Sequence, residues 1–145
     1  PAPSVRAGRL LAARGTVTSL NDVSDGLASE AWEIAEASGA ALALRESSLP
    51  FSGSMTAYGS RCGIDPLEWM LYGGEDYVLL GTIQASDAEA AKAALAAEGL
   101  PMFLIGSVET GEAAVSLIRD RGRAAGGGAE RRQPVAKRGF NHFDA

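Results

Sequence analysis

The pattern of apolar and polar positions changes period several times along the chain, and each change marks an element. Residues 4–14 read as a helix, with Val5, Leu10 and Leu11 as its apolar points. Thr16 to Val23 is rich in β-branched residues and reads as a strand. A helix is expected from about Gly26 to Ser38: Trp32, Ile34 and Ala35 lie close to one face, and Gly39 is a C-cap. Ala41 to Leu44 is a short strand, Ser47 to Phe51 a turn, and Met55 to Arg61 a short helix. Asp65-Pro66 suits the start of another helix, Asp65 as N-cap and Pro66 in the first helical position. Asp76 to Ile83 alternates as a strand does, with Tyr77 to Leu80 apolar enough for burial on both faces. Ser86 to Glu98 is the clearest helix, Ala-rich, with Ser86 and Glu89 spaced as a capping box. Met102 to Val108 and Ala113 to Arg119 read as paired strands about a Glu109-Thr110-Gly111-Glu112 turn. Helices and strands interleave, so the class is α/β or α+β, a mixed sheet covered by helices.

Composition narrows this little but excludes much. The 145 residues suit a single domain with a real core, and 46% apolar with 21% charged residues is ordinary for a globular fold. A net charge of −5 argues against non-specific nucleic-acid binding. Cys62 is the only cysteine, which leaves no disulfide framework or zinc knuckle and suits a reducing cytoplasm. No apolar run approaches the ~18 residues of a membrane span, and no signal peptide is visible. The opening Pro1-Ala2-Pro3 reads as a linker and no initiator Met precedes it, so a fragment of a longer protein is expected. Residues 119–138 hold seven of the thirteen basic residues and Gly126-Gly127-Gly128. The segment reads as solvated and flexible over 120–138, or else as a loop facing phosphate.

Three segments carry candidate chemistry. In Asn21-Asp22-Val23-Ser24-Asp25-Gly26-Leu27, two carboxylates lie three residues apart where a strand gives way to a helix. In an acidic protein that arrangement suits a phosphate held through Mg²⁺, because phosphates and carboxylates repel. The helix N-terminus offers N–H groups and a positive dipole end, Ser24 adds a hydroxyl, and Gly26 lets the backbone come close. The plainer reading makes Ser24 or Asp25 an N-cap and Asp22 the end of a strand. Tyr72-Gly73-Gly74-Glu75-Asp76-Tyr77 is a tight turn that presents Glu75 and Asp76 at a strand edge, or simply a polar turn. It is not a P-loop, and the chain has no Gly-x-Gly-x-x-Gly. Gly139-Phe140-Asn141-His142-Phe143 closes the chain with aromatics that either dock on the core or cover a ligand. One His and one Cys support no nucleophilic triad.

Together and in this order, the three segments resemble the C-terminal domain of the thiamine-monophosphate kinase family, in the superfamily that includes aminoimidazole ribonucleotide synthetase. The likeness runs from about Arg9 to Phe143. It implies an α/β (α+β) sandwich with partly ferredoxin-like topology, and ATP- and Mg²⁺-dependent phosphorylation of thiamine monophosphate to thiamine diphosphate. By that resemblance Asp22 and Asp25 are metal ligands, Ser24 touches the nucleotide, and Glu75 and Phe140 contact the thiamine substrate. No residue is implied as a general acid or base. The family's N-terminal domain, with most of the ATP site and the main contacts of a homodimer, is missing, so the chain alone is expected to be inactive. It departs from the family's pattern at Asn141 (usually Asp), Val78 (usually Glu) and Asn21 (usually apolar). Those departures keep open a degenerate, ligand-binding domain of the same fold. A related ATP-dependent enzyme, aminoimidazole ribonucleotide synthetase-like, is the third reading.

Overall fold

The computed structural model describes residues 3–22, 26–49, 79–120 and 131–137. In chain order these form α1 (Pro3–Arg14), β1 (Val17–Asp22), α2 (Leu27–Ser38), β2 (Ala41–Arg45), a 3₁₀ turn (Glu46–Ser48), β3 (Leu79–Ile83), α3 (Ala85–Ala97), β4 (Gly106–Glu109), β5 (Ala114–Arg119) and β6 (Arg131–Pro134). The arrangement is α+β, as the pattern of apolar positions leads one to expect. The expected helices at Met55–Arg61 and after Asp65, and residues 76–78 of the expected strand, lie outside the described residues.

The strands form two sheets. A mixed sheet runs in the order β4-β2-β5-β6, with β2 and β5 parallel and the other neighbours antiparallel. Leu42 and Leu44 of β2 align with Val115 and Leu117 of β5. Alternation puts these four side chains on one face, where they pack with Leu27, Ala31, Ile34 and Ala35 of α2 as the main core. Leu27, Ile34 and Leu117 are fully buried, each worth about 1.5–3 kcal/mol on removal from water. Gly39 closes α2 in the left-handed conformation, as expected, and β2 follows almost at once.

The second sheet, among the described residues, is the antiparallel pair β1–β3, with Asp22 opposite Leu79, Leu20 opposite Gly81 and an irregularity between Val17 and Ser19. Gly81 is required there: a Cβ would lie 2.3 Å from the carbonyl oxygen of Ser19. Leu80 reaches the main core. Val17, Leu20 and Ile83 join Leu11 of α1 and Ala91 and Leu95 of α3 in a second, smaller core.

Three expectations need correction. Residues 102–108 and 113–119 do not form a hairpin. β4 is shorter, and β2 lies between it and β5. The turn at residues 110–113 thus bridges across the start of β2, because the buried apolar β5 takes the inner place and the exposed β4 takes the edge. Likewise, the segment expected to be flexible over 120–138 contains β6, paired with β5 from Arg131 opposite Arg119 to Pro134 opposite Ser116. Backbone pairing needs no apolar side chain, so this polar edge strand was silent in the pattern. Val135, directly after it, is buried, its N–H donating to Val115 O (2.9 Å).

The third correction concerns α3. Its N-cap is Gln84, not Ser86, and no side chain caps it. Asp87 in its first turn instead accepts two hydrogen bonds from Arg14 at the end of α1, at 2.7 and 2.6 Å, and one from Thr16 at 2.7 Å. This fork joins α1, the start of β1 and α3. The Arg14 and Thr16 bonds hold the Asp87 carboxyl at about 2, below its ordinary 3.8. A lowered pKa in the folded state stabilises above the unfolded value and is lost as pH falls through the folded one. Thermal melts should therefore show an acid-side loss between about pH 4 and pH 2, and Asp87→Asn should lower the neutral-pH melting temperature while flattening that arm. An unchanged acid slope would mean that other carboxylates govern it.

Candidate functional site

The β1–α2 junction is where the structure bears on the predicted chemistry. β1 ends at Asp22, and α2 begins after Gly26, leaving only residues 23–25 between. Gly26 has φ 101° and ψ 157°, a region essentially reserved for glycine. It is the N-cap, so neither Ser24 nor Asp25 occupies the cap position. The first helical bond runs from Glu30 N–H to Gly26 O (3.1 Å). The plainer reading of this motif, a capping Ser or Asp, is therefore not how the helix starts.

Antiparallel pairing sets what lies beside the junction. β1 ends where β3 begins, with Asp22 opposite Leu79. In sequence, Gly73-Gly74-Glu75-Asp76 lies shortly before the strand that starts alongside Asp22. Two of the three motifs are attached to one end of one strand pair. Ser24, Asp25, Glu75 and Phe140 themselves lie outside the described residues, as do Val78, Asn141, His142 and Cys62. The last described residue, Lys137, pairs with Glu36 and lies 5.9 Å from the Trp32 ring centre, while Trp32 Nε1 donates to Val135 O (2.8 Å). The C-terminal segment is thereby fastened to α2 just before Phe140.

Sequence reasoning missed the polar contacts that frame the junction. The Asn21 amide donates to Glu33 Oε1 at 2.6 Å and more weakly to Glu30 Oε1 at 3.4 Å. Glu30 is buried, Glu33 exposed and Asn21 half-buried. The departure from an apolar residue at position 21 was the available signal. A second polar cluster lies at the ends of β2 and β5. Asp120 accepts from Arg45 and from the backbone and hydroxyl of Ser47, each at 2.9 Å. Burial pushes the Asp120 carboxyl up, but these donors outweigh it and hold it below its ordinary value. Among the described residues, no three His, Cys, Asp or Glu side chains gather as a metal site, and no helix is long and apolar enough to cross a membrane.

Residues 3–118 match the family described as AIR synthase related protein, C-terminal domain. The chain belongs to that family. Over 144 residues it is 38% identical to the thiamine-monophosphate kinase of Bacillus subtilis, a match spanning 99% of this chain and 40% of that protein. The solved structure described as AaThiL complexed with AMPPCP and TMP superimposes with a TM-score of 0.63 at 30% identity, covering 88% of this chain and 34% of that one. The hydrogenase maturation protein HypE of E. coli gives a TM-score of 0.69 at 22% identity over 90% of this chain and 39% of that one, a likeness of fold alone. The AIR synthase related fold is thus shared across relatives of different function. The chain spans about two-fifths of the length of the curated kinase it matches.

The junction makes one stability prediction. Gly26→Ala should cost about 1–3 kcal/mol in urea unfolding, because a Cβ is strained at that φ and ψ. A loss below about 0.5 kcal/mol, the range of a neutral surface change, would show that the junction relaxes freely.

Proposed function

We propose that this chain is the C-terminal domain of a thiamine-monophosphate kinase, a cytoplasmic enzyme that transfers phosphate from ATP to thiamine monophosphate, giving thiamine diphosphate. The observation that carries the reading is the β1–β3 register, which attaches the Asp22–Asp25 and Gly73–Asp76 motifs to one end of a strand pair. The 38% identity to a thiamine-monophosphate kinase over 99% of the chain supports it. The chain is one domain in this reading. An N-terminal domain supplies the rest of the nucleotide site and the contacts of a homodimer.

The chemistry fits the residues. Phosphoryl transfer to a phosphate needs positioning and charge neutralisation more than proton removal, because the acceptor oxygen is already anionic. A site rich in carboxylates and without an essential histidine is adequate. Asp22 and Asp25 are hard oxygen donors, the ligand type Mg²⁺ takes, and would hold it. When bound, the ion neutralises the phosphate oxygens. Ser24 donates its hydroxyl to the nucleotide, beside a helix start whose cap, Gly26, has no side chain to obstruct a phosphate. Glu75 complements the cationic thiazolium ring and the N–H donors of the aminopyrimidine, and Phe140 stacks on a flat heterocycle or meets the cation through its π-face.

Two experiments test this in a protein with both domains. Asp25→Asn should sharply weaken Mg²⁺-dependent formation of thiamine diphosphate while costing at most about 0.5–2 kcal/mol of stability, the size of a helix-cap effect. Unchanged activity would remove Asp25 from the site. Glu75→Gln and Phe140→Ala should raise the KM for thiamine monophosphate and leave that for ATP nearly unchanged. Equal effects on both substrates would assign these residues to scaffolding. The chain by itself should show no turnover, against ~1–100 s⁻¹ for kinases.

A further inference from the structure

We propose that Asn21 is a positioning residue for Asp22, acting by a hydrogen bond that clamps the end of β1 to the first two turns of α2. The inference rests on Asp22 being a metal ligand. The residues at the junction argue for it. Asp22 is the last residue of β1, and its backbone is fixed on one side by pairing with Leu79. Asn21, directly before it, is fixed to the neighbouring helix by the 2.6 Å bond to Glu33 and the 3.4 Å contact with Glu30. A hydrogen bond to an ionised acceptor is roughly twice as strong as a neutral one. Glu30, buried at 6% exposure, gains an amide donor where an apolar residue 21 would give it none. The clamp therefore spans the same two elements as the junction at residues 23–25, and the strand end cannot slide along α2 without breaking it.

Side chains that orient metal ligands without touching the metal commonly change metal affinity by 10–100-fold when removed. Glu33 is exposed, so Glu33→Ala tests the clamp with little risk to folding. In the two-domain protein, Mn²⁺ affinity in the presence of saturating AMPPCP, read by electron paramagnetic resonance of free Mn²⁺, should fall about tenfold in Glu33→Ala. Glu33→Gln keeps the accepting oxygen and should bind Mn²⁺ like the unaltered protein. Asn21→Leu should lose at least as much as Glu33→Ala, and the double variant should be no worse than Asn21→Leu, because Asn21→Leu already removes the bond to Glu33. Unchanged affinity in Glu33→Ala, with affinity lost in Asp22→Asn, overturns the positioning role and leaves Asp22 as a ligand. Additive losses in the double variant overturn the shared bond. So does equal weakening of AMPPCP binding measured without metal, which marks general loosening. Unchanged affinity in Asp22→Asn overturns the ligand reading and this inference with it.

Discussion

The antiparallel pairing of β1 with β3 is the constraint from which the rest of the arrangement follows. It joins two segments far apart in sequence, and it works only because Gly81 lets the backbone of β3 close on Ser19. Once that register is set, the end of β1 and the start of β3 coincide, so Asp22 and Leu79 are neighbours. A slip by one residue would turn every side chain of the strand to the opposite face. Leu80 would leave the main core, and Leu20 would leave the smaller one.

The two cores are joined through this strand pair. α2 packs on the mixed sheet through Leu27, Ala31 and Ile34, and Leu80 of β3 enters the same cluster. On the other side Leu20 and Ile83 meet α1 and α3. The polar links follow the same division. The Arg14–Asp87–Thr16 fork ties α1 and β1 to α3, and the Asn21–Glu33 bond ties β1 to α2. β1 is thus held from both directions, and its last residue inherits a fixed position without a large core of its own.

How much of this was legible depended on the kind of signal. Elements buried on one face were readable: α1, α2, β2 and α3 fall close to their expected ranges because apolar period and length agree there. Strand order was not. Alternation in residues 102–119 gives two strands and a turn, and nothing local says that β2 inserts between them. β6 was missed because its residues are Arg-Arg-Gln-Pro, all exposed, and its place comes from backbone pairing alone. The capping box on α3 failed because the helix already begins at Ala85 behind a Gln84 cap, which puts Ser86 inside it. Of the candidate site, the break from strand to helix was readable. The bonds that hold Asn21 were not, since partners nine and twelve residues away are set by tertiary packing.

The β1–α2 junction gathers the features that local rules disfavour. A helix starts on a glycine in a strained backbone region instead of on Ser or Asp, although both precede it immediately. A polar Asn occupies a half-buried strand position, and a buried Glu leans on it. Each choice costs stability that an apolar or capping residue would have supplied. Local rules tend to be broken together where side chains are reserved for another task. Elsewhere the chain follows them: the main core is Leu, Ile, Val and Ala, and the exposed edge of β6 is basic. The Arg14–Asp87 fork shows that this fold uses its carboxylates structurally when it places donors around them. At the β1–α2 junction the cap is a glycine, and Asn21 clamps the strand end to the helix. In the proposed kinase, Asp22 and Asp25 would serve a cation there, as hard oxygen donors on either side of the break between strand and helix.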